Sequence, residues 1–144
     1  MERRHGRIVV GVDGSPSSML ALRWALSQAH ATGAEVEAVH AWQIPTSFGA
    51  PVALLPGEDL AAEAKTALAT AIERVGADDR EVAVRSHVDR GDPATVLLER
   101  AKGADMLVVG NRGYGGFVRS LLGSVSDHCV HHATCPVVVV RGEE

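Results

Sequence analysis

RIVVGVDGSPSS, from Arg7 to Ser18, is the segment that fixes the architecture of this chain. Its first half is a short apolar run ending in Gly and Asp, which is typical of a strand buried on both faces in a parallel sheet. Ser15 and Pro16 then place a hydroxyl N-cap before a proline at the first helical position. They predict a helix to about residue 31, with Gly33 as its C-terminal stop.

The same alternation of strand and helix continues to the end of the chain. Further strands are expected at residues 35–42, 81–88, 105–110 and 137–141, and further helices at 58–75, 92–102 and 121–133. The order βαβαβαβαβ predicts an α/β fold, an open sheet of five parallel strands with helices on both faces. Residues 43–57 contain prolines and glycines without a clear period, so they are expected to form a lid or binding loop.

The composition is that of one soluble globular domain, predicted to span residues 1–144. Hydrophobic residues make up 46% and charged residues 22%, which argues against disorder, collagen and coiled coil. Aromatic residues make up only 3%, so the core must consist of Val, Leu, Ile and Ala. Because Lys65 and Lys102 are the only lysines, an anion site must use backbone amides, hydroxyls or arginine.

Charge and hydropathy exclude several classes of protein. The formal charge of -4 argues against a nucleic-acid-binding domain, which normally carries a basic face. Arg3, Arg4 and Arg7 form a short basic start that is expected to be a solvated terminus. No apolar run approaches the ~20 residues of a membrane span. The N-terminal apolar run is too short for a signal peptide, so a cytoplasmic location is expected.

In open parallel sheets, ligands bind beyond the carboxyl ends of the strands, where the strand order reverses. That rule selects residues 11–15, 40–43 and 110–126. The last segment reads GNRGYGGFVRSLLGSVS, and its glycines permit positive φ and close approach to a ligand. Its amides and the helix start that follows can bind an anion. Side chains that could assist are Arg112, Arg119, Ser124 and Ser126.

The best-known phosphate-binding signatures are missing from the chain. No GxxxxGK[ST] sequence occurs, and the first strand is followed by GVDGS instead of GxGxxG. On composition alone, the glycine-rich segment fits a phosphate site and an unliganded connection equally well.

The spacing Gly-x2-Gly-x9-Gly-Ser, formed by Gly110, Gly113, Gly123 and Ser124, resembles the nucleotide-binding signature of the universal stress protein family in its ATP-binding branch. The resemblance extends to GVDGSPSS at 11–18, VHAW at 39–42, GDPATVLLERAKGADMLVVG at 91–110 and GSVSDHCVHHATCPVVVVR at 123–141. It therefore covers nearly the whole chain in order. It implies a Rossmann-like sheet, similar to adenine nucleotide alpha hydrolases, with strand order 3-2-1-4-5.

The resemblance also implies which residues bind the nucleotide. Gly11 and Val12 would line the adenine side, and Ala41 would contact the adenine edge through its backbone. Asp13 would approach the ribose or a phosphate-bound metal, although an Asx turn before Ser15 is an alternative role for it. The residues implied around the ribose and phosphates are Gly110, Asn111, Arg112, Gly113, Gly123, Ser124, Val125 and Ser126.

By this resemblance, the chain is expected to be a nucleotide-dependent stress-response protein without catalytic residues. Its ligand would be ATP, ADP or AMP, with Mg²⁺ or Mn²⁺ near Asp13, and hydrolysis would be slow at most. A homodimer is expected through the strand Val137 to Arg141, because an apolar sheet edge invites pairing.

Two other functions remain open from the residues. One is a slow ATPase or adenylyl-transfer enzyme, but Asp13 and Asp127 are the only carboxylates expected near the glycine-rich segment. The other is an interaction module that binds no nucleotide, a branch of the family that departs from the spacing kept here.

A group of histidines and cysteines near the C-terminus is a candidate metal site, but the sequence favours a structural role. Its helical spacing is that of metal ligands, but Cys135 precedes Pro136, where a helix must end. Cys129 is expected to be a small core residue. His40 ends a strand beside the expected pocket, where a catalytic role is conceivable, but a hydrogen-bonded structural histidine is favoured. The members of the group are His128, Cys129, His131, His132 and Cys135.

Overall fold

A computed structural model describes residues 6–43, 46–47, 50–51, 57–76, 81–112 and 123–141. The strands of its main sheet are β1 (Arg7–Gly11), β2 (Glu35–Trp42), β3 (Val84–Arg90), β4 (Met106–Gly110) and β5 (Val137–Val140). The helices are α1 (Pro16–Thr32), α2 (Gly57–Arg74), α3 (Pro93–Arg100) and α4 (Ser124–His132). Thr46–Ser47 and Ala50–Pro51 pair as a short antiparallel ribbon within the predicted loop.

The five strands are parallel and lie in the order β3-β2-β1-β4-β5, which confirms the predicted order. β1 lies at the centre and pairs with β2 on one side and β4 on the other. The chain therefore winds outward in opposite directions from β1, and the strand order reverses between β1 and β4. A cleft is expected at the carboxyl ends of these two strands.

Both ends of α1 follow from local sequence, as predicted. The Ser15 hydroxyl accepts a hydrogen bond from the Ser18 amide at 3.2 Å, and Pro16 occupies the first turn. At the other end Gly33 adopts a φ of 78°, a left-handed conformation that costs glycine little, and its amide bonds to Ala29 O at 2.8 Å.

Two elements begin later than predicted. The third strand begins at Val84 instead of residue 81, because Glu81 adopts a φ of 54° and lies in a turn. The last helix begins at Ser124, after the N-cap Gly123, instead of residue 121. Residues 121 and 122, like the rest of the glycine-rich segment from Gly113 onward, lie outside the described residues.

The sheet is covered on both faces by small aliphatic side chains, as the composition predicted. One core joins the sheet to α1 and α2, where Leu22, Leu26 and Leu68 are buried. A second core joins it to α3 and α4, where Leu97, Leu107 and Cys129 are buried. Consecutive residues of β1 alternate between the two cores, so the strand is buried on both faces.

Arg7 is not the solvated terminal residue that the sequence predicted. Its guanidinium lies 3.3 Å from the buried carboxylate of Glu37, and it also donates to the carbonyl oxygens of Arg100 and Lys102 at 3.0 and 2.7 Å. His87 Nε2 lies 3.1 Å from the other oxygen of Glu37. Arg7 therefore ties the end of α3 to the sheet and shares a buried carboxylate with His87.

Candidate functional site

A cavity of about 380 Å³ opens at the carboxyl ends of the central strands. It lies where the strand order reverses, as the general rule for open parallel sheets requires. The start of α4 closes one side of it. The lining residues are Gly11, Val12, Asp13, Ser18, Val39, Ala41, Pro93, Leu97, Val109, Gly110, Arg112, Gly123, Ser124, Val125 and Ser126.

One part of the cavity is apolar. Val39 from β2, Leu97 from α3 and Val109 from β4 contribute side chains of the second core, and Pro93 adds the first turn of α3. A Cβ atom added at Gly11 would lie 2.8 Å from Leu97 Cδ1, so glycine lets α3 approach the end of β1. This wall can cover a flat apolar group such as a heterocyclic base.

Gly110, at the end of β4, allows the first turn of α1 to approach closely. A Cβ atom added there would meet the Ser17 hydroxyl and would lie 2.7 and 2.8 Å from the backbone C and O of Ser17. The glycine is needed for this close approach and not for a positive φ, which is a different reason from the one expected.

Asn111 is buried behind the cavity and joins three elements. Its side-chain oxygen accepts a hydrogen bond from Ser17 Oγ at 2.9 Å. Its carbonyl accepts one from the Gly123 amide at 2.6 Å and one from Ser126 Oγ at 3.3 Å. Its amide donates to Val140 O at 3.0 Å. Asn111 thus fixes the start of α4 against the ends of β4 and β5.

The N-terminus of α4 lies at the cavity wall. Gly123 is the N-cap, with φ -67° and ψ 163°, and no side chain caps this end of the helix. The first residues, Ser124, Val125 and Ser126, all line the cavity. A helix start of this kind offers amide donors and the positive end of the helix dipole to an anion.

Asp13 forms the turn between β1 and α1. Its Oδ1 accepts a hydrogen bond from the Ser15 amide at 2.8 Å, so the Asx turn considered from the sequence is present. The residue is exposed and also lines the cavity. The Asx turn does not exclude Asp13 from the site, because the residue that forms the turn also lines the cavity.

All but two of the predicted site residues line the cavity. Asn111 holds the cavity in shape from behind, and Gly113 lies outside the described residues. Sequence reasoning missed the wall residues Val39, Val109, Pro93 and Leu97 and the hydroxyl residue Ser18. Val39 and Val109 sit within predicted strands near their carboxyl ends, so strand position could have indicated them. Leu97 depends on how α3 packs, which local sequence does not define.

His40 has the structural position that was expected. Its Nδ1 lies 2.8 Å from the carbonyl oxygen of Val12, and the amide of Val12 donates to Val39 O at 2.9 Å. The ring therefore supports the turn after β1.

The members of the histidine and cysteine group near the C-terminus that belong to α4 lie on different sides of the helix, some in the core and some on the surface. Cys129 is buried in the second core, as predicted, and burial raises its thiol pKa to about 11. His131 is exposed and lies 3.4 Å from Asp127. Within the described parts of the chain, no three His, Cys, Asp or Glu side chains come close enough together to hold a metal ion. The same parts contain no helix long and apolar enough to cross a membrane.

Sequence comparison identifies the relatives of this chain. The model of the universal stress protein family matches residues 5–141. A universal stress protein of Mycolicibacterium smegmatis is 39% identical over 137 residues, which are 93% of this chain and 45% of the relative. One of Mycobacterium tuberculosis is 39% identical over 141 residues, 96% of this chain and 46% of the relative. The chain thus spans about half the length of these curated relatives.

Solved structures of similar length share the fold. A universal stress protein of Lactobacillus plantarum superposes with a TM-score of 0.77 at 24% identity, covering 97% of this chain and all of that one. A universal stress protein solved with cAMP has a TM-score of 0.71 at 29% identity, covering 95% and 97%. One from Archaeoglobus fulgidus, solved with dAMP, has a TM-score of 0.69 at 25% identity, covering 94% and 98%. With the family model matching almost every residue, the chain belongs to the universal stress protein family.

Proposed function

We propose that this chain binds an adenine nucleotide, with ATP as its principal ligand, and acts as a nucleotide-dependent regulatory protein in a stress response. One observation carries the proposal: a single cavity joins an apolar wall to an N-terminus of a helix that no side chain caps. Nucleotides need both features, since the base is apolar on its faces and the phosphates are anionic. The cAMP and dAMP complexes of two similar proteins support the choice of adenine.

The base would lie against the apolar wall. Val39, Leu97 and Val109 provide aliphatic contact, and Gly11 and Val12 lie beside them at the end of β1. The backbone of Ala41 would contact the edge of the adenine ring. A volume of about 380 Å³ lies at the lower end of the usual range for small-molecule pockets, so a nucleoside fits and the phosphates extend toward the opening.

The phosphates would lie at the start of α4. Amides of Ser124, Val125 and Ser126, together with the Ser124 hydroxyl, can donate to phosphate oxygens. Arg112 lines the same cavity and brings a positive charge, while the glycine-rich segment that includes Gly113 follows it in sequence. A glycine-and-serine site backed by arginine agrees with a chain that has almost no lysine.

A divalent cation, Mg²⁺ or Mn²⁺, would be held mainly by the phosphates. Among the described lining residues Asp13 is the one carboxylate, and one of its oxygens already accepts the Ser15 amide. A single carboxylate beside nucleotide phosphates is a usual Mg²⁺ arrangement, so the donor set fits a nucleotide-bound cation. The cation would neutralise phosphate charge there.

For a regulatory protein, ATP hydrolysis is expected to be slow or absent. The alternative is that catalysis is the function, as a slow ATPase or an adenylyl-transfer enzyme. Rapid phosphoryl transfer needs a positioned water or acceptor and a group that orients it. Asp13 is the one described lining residue that could act as such a base, and its position in the Asx turn restrains it. Turnover of several ATP per second that Asp13→Ala abolished would favour the enzyme.

The proposal includes a cytoplasmic location, a homodimeric assembly and no binding of nucleic acid. β5 lies at the sheet edge, and each of its four valines, Val137–Val140, is half-buried in the single chain. Pairing two such edges about a two-fold axis would cover them. Light scattering at micromolar concentration is expected to give twice the monomer mass, and a monomer alone would contradict the dimer.

Calorimetric titration of the purified chain tests nucleotide binding. ATP, ADP, AMP and GTP are compared, and mass spectrometry identifies any small molecule that is released on denaturation. Gly123→Ala adds a methyl group at the phosphate side without a forbidden φ, and Ser124→Ala removes a hydroxyl donor. Ser27→Ala, on the exposed face of α1, is the matched control. Failure of every adenine nucleotide to bind at millimolar concentration, or equal affinity in Gly123→Ala, would overturn the proposal.

A further inference from the structure

The exposed face of α4 carries a pair of histidines whose rings lie side by side. His128 and His132 are one helical turn apart, and both are exposed. Their ring centroids lie 4.5 Å apart with an angle of 36° between the ring planes. Among the described residues, neither imidazole takes part in a hydrogen bond or an ion pair.

We propose that His128 and His132 form a surface site for a borderline-soft divalent metal ion, of which Cu²⁺ and Zn²⁺ are the best candidates. Imidazole nitrogen is a preferred ligand of both ions, and binding follows the order in which Cu²⁺ exceeds Zn²⁺. Histidines at i and i+4 on a helix lie on one face, where both can reach one ion. Water would complete the coordination.

The observed spacing suits chelation. Two nitrogens that each lie about 2.0–2.1 Å from one ion are at most about 4 Å apart. Rings whose centroids are already 4.5 Å apart reach that separation by small side-chain rotations. The helix backbone fixes the two Cα positions, so the side chains lose little further conformational freedom when the ion binds.

The neighbouring histidine offers a contrast within the same helix. His131 is exposed but lies against Asp127 at 3.4 Å, and it is adjacent in sequence to His132. Consecutive helical residues point about 100° apart, so His131 and His132 do not share a ligand direction. The site therefore uses His128 and His132, whose rings already lie side by side, and His131, whose imidazole lies against Asp127, is the matched control.

The proposed site is separate from the nucleotide cavity. The described lining residues of the cavity include Ser124 to Ser126 from the first turn of α4, whereas the histidine pair lies on a later turn and lines no part of it. Hard ions such as Mg²⁺ prefer oxygen ligands and should ignore the pair. A test of metal binding at the histidine pair is thus independent of whether a nucleotide binds.

Titration of the full chain, free of any affinity tag, with CuCl2, ZnCl2 and MgCl2 tests the site. One Cu²⁺ or Zn²⁺ per chain is expected, with no Mg²⁺. His128→Gln and His132→Gln should each weaken Cu²⁺ affinity by at least about tenfold, because even an outer partner of a ligand contributes about that much. His131→Gln should leave the affinity nearly unchanged, because it removes no proposed ligand.

Electron paramagnetic resonance of the bound Cu²⁺ gives a second readout. Coupling to two equivalent imidazole nitrogens is expected in the native chain and in His131→Gln, and coupling to one in either pair variant. Circular dichroism without metal checks that each variant is folded, which exposed substitutions should permit. Equal loss of affinity in His131→Gln, unchanged affinity in His128→Gln, or no binding at all would overturn the proposal.

Discussion

Ser17 Oγ donates a hydrogen bond to Asn111 Oδ1 at 2.9 Å, joining the first turn of α1 to the residue after β4, 94 positions later. The same Ser17 oxygen accepts a hydrogen bond from the Arg112 amide at 3.3 Å. One small hydroxyl thus serves as donor and acceptor between two elements that both border the cavity. The carbonyl of Asn111 in turn holds the Gly123 amide, so the contact extends to the start of α4.

Replacing Ser17 with Ala should destabilise the fold and loosen the cavity. The variant leaves the side-chain oxygen of Asn111 and the amide of Arg112 without this partner, a loss of about 1 kcal/mol in the free energy of unfolding. Urea denaturation measures it. Ser27→Ala, on the exposed face of α1, should change stability by less than about 0.5 kcal/mol. Equal stability of the two variants would show that the bond contributes nothing.

Two glycines near the cavity should respond differently to alanine. In Gly110→Ala the new methyl group meets backbone atoms of Ser17, which cannot move without shifting α1. In Gly11→Ala it meets the end of the Leu97 side chain, which can rotate. Overpacking typically costs about 1–3 kcal/mol, so Gly110→Ala should lie at the upper end and Gly11→Ala at the lower end. Thermal melting of the two variants compares them, and the reverse ranking would refute this account.

The pattern of strands, helices and caps could be predicted because it rests on neighbours in sequence. Ser15, Pro16 and Gly33 define α1 through contacts within a few residues. The reason for Gly110 could not be predicted in the same way, because Ser17 is brought to it only by the pairing of β1 with β4. Leu97 was missed for the same reason, since its place in the cavity depends on the packing of a distant helix.

The thiol of Cys129 should be unreactive in the folded chain. Burial raises its pKa from the ordinary 9.0 to about 11, so almost none is thiolate at pH 8. In a Cys135→Ser background, which leaves one thiol, a disulfide reagent should label the chain only when it unfolds. Labelling in native buffer as fast as in denaturant would contradict burial. A raised pKa means that the neutral thiol favours the folded state, so this contribution should decline as the pH rises from about 9 to about 11.

The pair of Asp89 and Arg100 should stabilise the chain modestly, and only above acid pH. The two hydrogen bonds from Arg100, of 2.7 and 2.8 Å, lower the pKa of Asp89 below its ordinary 3.8. The carboxylate form therefore favours folding above about pH 4, and the benefit is lost as pH falls through the lowered pKa. Because the side chains of Arg100 and Asp89 are 35% and 30% exposed, solvent limits the gain to under about 1 kcal/mol.

Urea midpoints from pH 3 to pH 7 check this prediction. Asp89→Asn should be less stable than the native chain at pH 7, and the two should converge toward pH 3. Glu99→Gln removes the carboxylate of a pair with Lys102 that is 62% and 70% exposed, so it should change little at any pH. A constant difference across the range would assign the loss in Asp89→Asn to something other than the ion pair.

The buried polar network was the largest gap in the sequence prediction. Glu37 occupies an inward position of β2, and Arg7 and His87 come from neighbouring strands to meet its two oxygens. None of the three has a signature in its own segment. Their pairing follows from strand order and register, which place residue 37 beside residues 9 and 85.

The central position of β1 determines when the cavity can exist during synthesis. β1 is translated well before β4, its partner across the cleft, which begins at Met106, and before the helix that closes the cleft, which begins at Ser124. A nascent chain that ends before β4 can pair β1 only with β2 and has half a cleft. The complete cavity must wait until the first turn of α4 has been translated, and until β4 is available the unpaired edge of β1 stays open to misassociation.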